Sequence, residues 1–203
     1  MILVLDTGCA NIGSILSMAK KMGFNAKPSS NYKDIHSAKK IILPGVGHFD
    51  AGMKALRELD MIDSLKERVI ADKIPILGIC LGMQLLCNSS EEGSAEGLGL
   101  IDAEVKGFKD MIDTSLKIPH MGWNYVKVLK SNSLIDINGM TNRFYFVHSF
   151  FVKCNNNSDI LTTTQYDIQF TSSFLKENIM GVQFHPEKSH RFGMNLLKNF
   201  SEV

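Results

Sequence analysis

The chain has 203 residues, of which 44% are hydrophobic and 21% are charged, and its formal net charge is +1 at pH 7. This length suits one domain with a full core, so we treat residues 1–203 as a single domain. The balanced charge gives no electrostatic reason to expect nucleic acid or a membrane surface as the principal partner.

Cysteine use and hydropathy point to the reducing cytoplasm. The four cysteines, at positions 9, 80, 87 and 154, show no Cys-x-x-Cys spacing for zinc and do not form a disulfide framework. No apolar run approaches about 18 residues. Met1 leads directly into a strand, with no basic and apolar leader before it. We therefore expect a cytoplasmic protein that does not span a membrane.

Strands and helices alternate in the first half of the chain. Ile2–Leu5 is a continuous apolar run, typical of a parallel strand that is covered on both faces. A helix with apolar residues at helical spacing follows and ends at Gly23. The next predicted elements are strands over 24–27 and 40–43, a helix over 49–69 with a candidate break near Asp60, and a strand over 74–79.

The strongest local signal surrounds Cys80. The apolar run Ile76–Ile79 is short enough for a buried strand, and Gly78 and Gly82 bracket the cysteine ahead of a helix-compatible segment. This pattern has the form of a nucleophile elbow, which places the N–H of Leu81 nearby as an oxyanion donor. The start of the helix would also favour a thiolate. A lone cysteine is more often a small buried hydrophobe, but the paired glycines favour a nucleophile.

A base for this thiol is available near the end of the chain. The strand-like run over 179–184 leads into His185-Pro186-Glu187. Residues two apart in an extended segment point to the same side, so Glu187 can orient His185. With Cys80 on a neighbouring strand end, this predicts a Cys–His–acid triad. A histidine before proline is, on its own, more often a turn residue, so this assignment depends on Cys80.

The pattern changes after residue 100. Short apolar runs alternate with Asn, Asp, Ser and Gly turns, which is typical of antiparallel strands. They cover residues 101–105, 124–129, 144–147, 150–153, 160–164 and 168–171, and an amphipathic helix closes the chain over 192–200. The predicted fold is α/β, an open and mostly parallel sheet with helices on both faces and an antiparallel extension of the same sheet.

Five ordered motifs resemble a known family. Class I, triad-type glutamine amidotransferases have two signatures that are similar to Gly-Ile-Cys-Leu-Gly-Met-Gln at 78–84 and Gln-Phe-His-Pro-Glu at 183–187. Three further motifs resemble the glutaminase subunit of imidazole glycerol phosphate synthase (the HisH family). They are Leu-Pro-Gly-Val-Gly-His-Phe at 43–49, Pro-His-Met-Gly-Trp-Asn at 119–124 and Tyr-Phe-Val-His-Ser at 145–149. The resemblance implies a flavodoxin-like fold, glutamine hydrolysis through a Cys80 thioester, and no metal or organic cofactor.

A glycine-rich loop is a second candidate source of oxyanion donors. The glycines of Gly45-Val46-Gly47 let backbone N–H groups turn toward an anion, although a plain turn would use the same residues. By resemblance, this loop lies over the glutamine site, and Gly47 also contacts the substrate.

The remaining substrate contacts are implied by the resemblance alone. Gln84 is placed to hydrogen-bond the ligand, and Glu92 matches the family carboxylate that binds the substrate ammonium group. His148 and Ser149 match a pair whose backbone helps to hold glutamine. Phe150 stands where relatives often have tyrosine, so a hydroxyl near the substrate is missing.

A partner surface is also implied by the resemblance. His120, Trp123 and Asn124 form a loop-like stretch that lies toward a barrel-shaped cyclase subunit in the family, and Lys188 belongs to the same heterodimer interface. An exposed tryptophan there would be a natural hot spot, whereas packing in the core is its common alternative. Because ammonia is mostly protonated in neutral water, a glutaminase gains from passing it directly to a partner.

Two alternatives remain open at this point. A paralogous subunit could supply ammonia for surface-sugar amidation, and the atypical stretches at 7–10 and 190–193 are compatible with it. A catalytically silent scaffold would keep a triad without turnover. A cysteine protease or α/β-hydrolase shares the elbow but does not explain Gln84, Glu92 and His148.

Overall fold

The structure is a computed structural model that describes residues 1–8, 10–109, 111–112, 116–136 and 142–203. Cys9, within the atypical 7–10 stretch, lies outside these residues. The described strands are β1 (Ile2–Leu5), β2 (Ala26–Ser29), β3 (Lys40–Gly45), β4 (Ile76–Cys80), β5 (Ser89–Ser90), β6 (Ala103–Gly107), β7 (His120–Tyr125), β8 (Lys127–Val128), β9 (Arg143–His148), β10 (Phe150–Cys154), β11 (Ile160–Tyr166), β12 (Ile168–Lys176) and β13 (Ile179–Val182). The described α-helices are α1 (Ile12–Met22), α2 (Tyr32–Ser37), α3 (Phe49–Glu58), α4 (Met61–Lys66), α5 (Leu81–Leu85) and α6 (His190–Glu202).

Five parallel strands form the half of the main sheet that carries the elbow, in the order β2-β1-β3-β4-β13. Successive side chains of β1 point to opposite faces of this sheet. Leu3 and Leu5 belong to a core that includes residues of α3, α4 and α5. Ile2 and Val4 belong to a second core that includes residues of α1 and α6. Helices therefore cover both faces, as predicted.

The antiparallel extension is confirmed for most of the later strands. From β13 the sheet continues through β12, β10 and β6 in antiparallel pairs, and β11 pairs antiparallel with β12. The exceptions are β7 and β9, which pair antiparallel with each other in a separate two-stranded sheet and not in the main one. The stretch at 120–124, expected to be loop-like, therefore lies in a strand, and the strand expected from residue 124 begins at His120. Its Gly122 and polar Asn124 conceal the period-2 pattern on which the strand prediction depends.

Helix ends explain two local differences from the sequence analysis. Gly23 has a left-handed φ of 78° and ends α1, as predicted. The N–H of Phe24 still bonds the carbonyl of Ala19 at the end of this helix, so β2 begins at Ala26 and not at Phe24. Asp60, with a φ of 53°, separates α3 from α4, which confirms the break expected there.

No helix among the described residues combines the length and the apolar character needed to cross a membrane.

Candidate active site

Cys80 is the last residue of β4 and has the backbone of a nucleophile elbow. Its φ of 54° and ψ of −111° are rare for a residue with a side chain. The flanking glycines are sterically required, because a Cβ atom on Gly78 would lie 2.7 Å from the Gly82 carbonyl oxygen. A Cβ on Gly82 would lie 1.8 Å from the carbonyl oxygen of Leu43 in β3. The turn therefore presses the start of α5 against the neighbouring strand.

His185 reaches the same edge of the sheet through β13. This strand is parallel to β4, with Val182 opposite Ile79, so the two chains leave the sheet side by side. The Nδ1 atom of His185 lies 2.7 Å from Oε1 of Glu187. The extended geometry expected for this contact is not observed. The 3₁₀ turn Pro186–Lys188 brings Glu187 to His185 instead. Proline at the first position of this turn has a suitable fixed φ.

The atypical stretch at 190–193 contains Gly193, whose small size is required where α6 packs against the turn. A Cβ atom on Gly193 would lie 1.7 Å from the carbonyl oxygen of Pro186. Only glycine lets α6 approach the turn so closely. Ser189 adds two further bonds, from its hydroxyl to the His185 carbonyl at 2.6 Å and from the Tyr145 N–H to its hydroxyl oxygen at 2.9 Å. The turn that carries Glu187 is therefore held from several sides.

The environment of His185 favours the imidazolium. Its side chain is 2% exposed, and this burial opposes protonation. The favourable interactions of the charged ring with Cys80 and Glu187 outweigh burial and raise the pKa of His185 to about 10. The Nε2 atom has no hydrogen-bond partner of normal geometry among the described residues. It is therefore free to exchange a proton with a group that enters the site.

A pocket of about 350 Å³ opens in front of these residues. This size is within the usual range for a small-molecule site. Its lining contains most residues that the sequence analysis placed around the substrate, together with Pro119 and Val147: Val46, Gly47, Cys80, Leu81, Gln84, Glu92, His148, Ser149, Phe150 and His185. Glu187 lies behind His185 and outside the lining.

Gly45 differs from the rest of its loop. It is the last residue of β3, pairs with Cys80 in the sheet, and is buried. A Cβ atom here would lie 3.0 Å from the Cβ of Leu81, so its small size serves packing. Val46 and Gly47 line the pocket, and Gly47 has a left-handed φ of 104°. The candidate oxyanion donors in this loop are therefore these two residues and not Gly45.

Two polar side chains on the pocket wall already have protein partners. Glu92 accepts a hydrogen bond from the N–H of Phe49 at the start of α3, at 2.8 Å to Oε2. Its other oxygen makes no hydrogen bond to the described part of the chain. Gln84 is 5% exposed, and its Nε2 donates to the Phe150 carbonyl at 3.2 Å and to Oε1 of Gln183 at 3.1 Å. It is therefore a buried amide with two acceptors.

Gln183 is a site residue that the sequence analysis did not identify. It is fully buried, and its Nε2 lies 3.8 Å from the Sγ of Cys80. Hydropathy periodicity describes this position only as part of a buried strand. The available signal was its place two residues before His185, since alternate residues of an extended segment share a side.

The residues expected at a partner surface divide into exposed and buried ones. Trp123 is 42% exposed, and Met121 and Tyr125 on the same side of β7 are 61% and 59% exposed. Lys188 is also exposed. His120 is only 3% exposed, so its prediction as an interface side chain is wrong. Its side of β7 faces the core because alternate residues point in opposite directions.

Other groups hold Trp123 in place. The His190 ring stacks on it with centroids 5.7 Å apart and an interplanar angle of 3°. The Arg143 guanidinium lies 5.4 Å from the ring centroid, within the range of a cation–π contact. An exposed aromatic ring held in this way has little side-chain entropy left to lose on binding.

Among the residues that the structure describes, no set of three or more His, Cys, Asp or Glu side chains could hold a metal ion.

Comparison with known proteins agrees with this geometry. Residues 3–203 match the family described as GATase, Glutamine amidotransferase class-I. The chain is 54% identical over 200 residues to "Imidazole glycerol phosphate synthase subunit HisH 2" of Methanococcus maripaludis, covering 98% of each chain. It is 46% identical to the protein of that name from Pseudomonas aeruginosa and 43% identical to "Imidazole glycerol phosphate synthase subunit HisH" of Leptospira borgpetersenii, with full coverage of all chains (100%).

Solved structures show the same fold at low sequence identity. One described as "Crystal structure of glutamine amidotransferase" has a TM-score of 0.76 at 16% identity and covers 100% of both chains. A glutamine amidotransferase from Thermotoga maritima has a TM-score of 0.65 at 16% identity, over 99% of this chain and 82% of its own. The predicted family and fold class are confirmed. The chain is a class-I glutamine amidotransferase and belongs to the family of imidazole glycerol phosphate synthase subunit HisH.

Proposed function

We propose that Cys80, His185 and Glu187 carry out glutamine hydrolysis in this amidotransferase. The observation that carries the proposal is the meeting of a positive-φ Cys80 and a Glu187-bonded His185 in one pocket. The Cys80 thiolate attacks the side-chain amide carbon, and the His185 imidazolium gives its proton to the departing nitrogen, which leaves as ammonia. Water, losing a proton to His185, then cleaves the γ-glutamyl thioester to release glutamate and restore the thiolate.

The tetrahedral intermediate requires donors for its oxyanion. We assign this role to the backbone N–H of Leu81, directly after the nucleophile, and to the N–H groups of Val46 and Gly47. The free oxygen of Glu92 is available for the substrate ammonium group, and the backbone of His148 and Ser149, which also line the pocket, is available for its other polar groups.

The chain acts with a partner subunit, because its relatives are named as subunits of imidazole glycerol phosphate synthase. We propose that the partner is the barrel-shaped cyclase and that it covers the outer face of β7, which we define as Met121, Trp123 and Tyr125. This face is apolar and exposed, and the Lys188 ammonium lies beside it, 5.8 Å from the Tyr145 ring. An apolar centre with a charged rim is the usual composition of a protein interface.

The test of function is glutamate release from glutamine by the full chain, alone and with the cyclase subunit and its ribotide substrate. We expect strong activation by the cyclase, and a γ-glutamyl adduct on the Cys80 peptide after acid quench. If glutamate release is not activated by this cyclase but is activated by a sugar-amidating synthase, the chain belongs to the surface-sugar amidation pathway. If neither partner elicits release or an adduct, the chain is a silent scaffold and the proposed reaction is wrong.

The outer face of β7 can be tested independently of turnover. Trp123→Ala is expected to weaken cyclase binding by about 30-fold, since central aromatic hot spots contribute about 2 kcal/mol or more. Isothermal titration calorimetry on the two full subunits measures the change. Ile70→Ala is the matched control, because Ile70 is an exposed apolar residue (52%) that lies outside β7, in the π-helical segment Glu67–Ala71 directly after α4. Equal affinities for both variants would remove Trp123 from the interface.

A further inference from the structure

A continuous series of hydrogen bonds joins β7 to the sulfur of Cys80. It passes through side chains and one backbone carbonyl, and it includes both residues that line the pocket (Cys80, Gln84, His148 and Phe150) and residues outside the lining (Gln183, His120 and Asn124). The six contacts are Asn124 Nδ2 to His120 Nε2 (3.1 Å), His120 Nδ1 to His148 Nε2 (2.9 Å), His148 Nδ1 to Phe150 O (2.7 Å), Gln84 Nε2 to Phe150 O (3.2 Å), Gln84 Nε2 to Gln183 Oε1 (3.1 Å), and Gln183 Nε2 to Cys80 Sγ (3.8 Å).

The carbonyl of Phe150 determines which atoms donate and which accept in the inner half of the series, from Phe150 to Cys80. A carbonyl oxygen only accepts, so the Gln84 atom that faces it must be the amide nitrogen. The second hydrogen of that nitrogen points to Gln183, whose facing atom must therefore be its oxygen. The remaining terminal group of Gln183 is then its N–H₂, which faces Cys80 Sγ. The orientation of both amides follows from one backbone group.

In the outer half of the series, from Asn124 to Phe150, backbone groups at both ends determine which atoms donate and which accept. His148 must carry its proton on Nδ1 to donate to Phe150, and its Nε2 then accepts from Nδ1 of His120. Independently, the Asn124 amide oxygen accepts from the N–H of Tyr125 at 2.8 Å, and its nitrogen donates to the Gln165 carbonyl at 3.0 Å. The second hydrogen of that nitrogen meets Nε2 of His120. Both backbone anchors impose the same direction.

This arrangement requires that the two imidazoles are neutral, since a charged ring donates from both nitrogens. Burial lowers the pKa of His120 to about 4. Burial also lowers the pKa of His148 to about 3, against the opposing effect of the Phe150 carbonyl, and the nearby His120 and His185 add to the lowering. Both rings therefore remain neutral at physiological pH.

We propose that this series of hydrogen bonds positions two groups for catalysis. It holds the Gln183 N–H on Cys80 Sγ, where it stabilises the thiolate, and it leaves the Gln84 oxygen as the atom available to a donor group on the substrate. Gln183 is thereby a further catalytic residue, whereas His148, His120 and Asn124 are positioning residues. The proposal rests on the nucleophilic role of Cys80 that the proposed function assigns.

The test follows alkylation of Cys80 by iodoacetamide against pH, with the Cys80 peptide quantified by mass spectrometry. Gln183→Leu is expected to move the midpoint of the profile upward by about one pH unit, because a hydrogen bond to a charged group is lost. His148→Leu should move it in the same direction by less. His148→Asn should fall between His148→Leu and the unmodified chain, since its amide can still donate to Phe150. His185 and Glu187 are unchanged in every variant.

The matched control is Thr162→Val, which removes buried hydroxyl bonds to Ser172 and Ser173 at 2.8 and 2.6 Å. It is expected to leave the midpoint unchanged. A Gln183→Leu variant that folds normally and keeps the original midpoint would overturn the proposal, as would equal shifts in Thr162→Val. Alkylation needs neither glutamine nor a partner, so this outcome is independent of whether glutamate is released.

A second measurement covers the case in which Gln183→Leu does not fold. Nitrogen NMR of the unmodified chain, labelled with ¹⁵N-histidine, reports the tautomer of each ring. We expect His120 and His148 to be neutral at pH 6 and both to carry the proton on Nδ1. A proton on Nε2 of either ring would contradict the direction of the series.

Discussion

Replacing Cys80 by alanine is expected to reduce glutamate release by roughly 10⁴-fold or more, the scale seen when a triad nucleophile is removed. The loss should appear in kcat, because the pocket keeps Glu92 and the other polar groups that we assign to substrate binding. Cys80→Ser should be almost as inactive, since a hydroxyl does not form an anion near neutral pH as a thiol does. Release of glutamate is measured in the presence of the cyclase subunit.

Cys154→Ala provides the matched control for this experiment. Cys154 has the same exposure as Cys80, at 7%, but it lies at the end of β10 and does not line the pocket. Its buried surroundings raise the pKa of its thiol to about 12, so it is not a nucleophile at neutral pH. Retention of activity in Cys80→Ala, or equal loss in both variants, would exclude Cys80 as the nucleophile.

Gly82→Ala is expected to destabilise the fold by about 3 kcal/mol or more. Overpacking commonly costs about 1–3 kcal/mol, and this case is at the upper end because the obstacle is backbone. The new Cβ would lie 1.8 Å from the Leu43 carbonyl oxygen, so β3 and α5 must separate. Chemical denaturation followed by circular dichroism gives the free energy of unfolding.

Gly13→Ala is the appropriate comparison for that measurement. Gly13 lies in α1, and the nearest atom to a Cβ there is Oδ1 of Asn11 at 3.7 Å. Alanine fits this helical position and is expected to be neutral or to stabilise the chain by up to about 1 kcal/mol. If the two alanine variants have the same stability, the close approach at Gly82 is not a constraint on the fold.

The elbow was predictable because its requirements are local. A short apolar run, two glycines and a cysteine are enough to specify a strand that turns sharply, and the structure places Cys80 at that turn. The pairing of His185 with Glu187 was also predicted, although by extended geometry. The structure makes the contact through a 3₁₀ turn, and Gly193 permits α6 to pack closely against Pro186 in that turn. That packing is a long-range effect that local spacing does not contain.

Residues whose position depends on tertiary partners were less predictable. His120 was expected at the surface, but its strand pairs with β9, opposite His148, and this pairing buries its side chain. Gln183 was not recognised, since a buried amide is identified by the groups that it bonds and not by its neighbours in sequence. Sequence patterns predict which face of an element is apolar, whereas polar contacts across the core require the assembled fold.

The backbone of Cys80 also has a cost in stability. A residue with a side chain at a φ of 54° costs about 1 kcal/mol or more, whereas glycine takes this conformation freely. Glycine at position 80 would remove that cost, together with the thiol and its packing in the core. The backbone strain of this turn therefore lies at the residue that presents the proposed nucleophile to the pocket, and strain of this kind is typical of active sites.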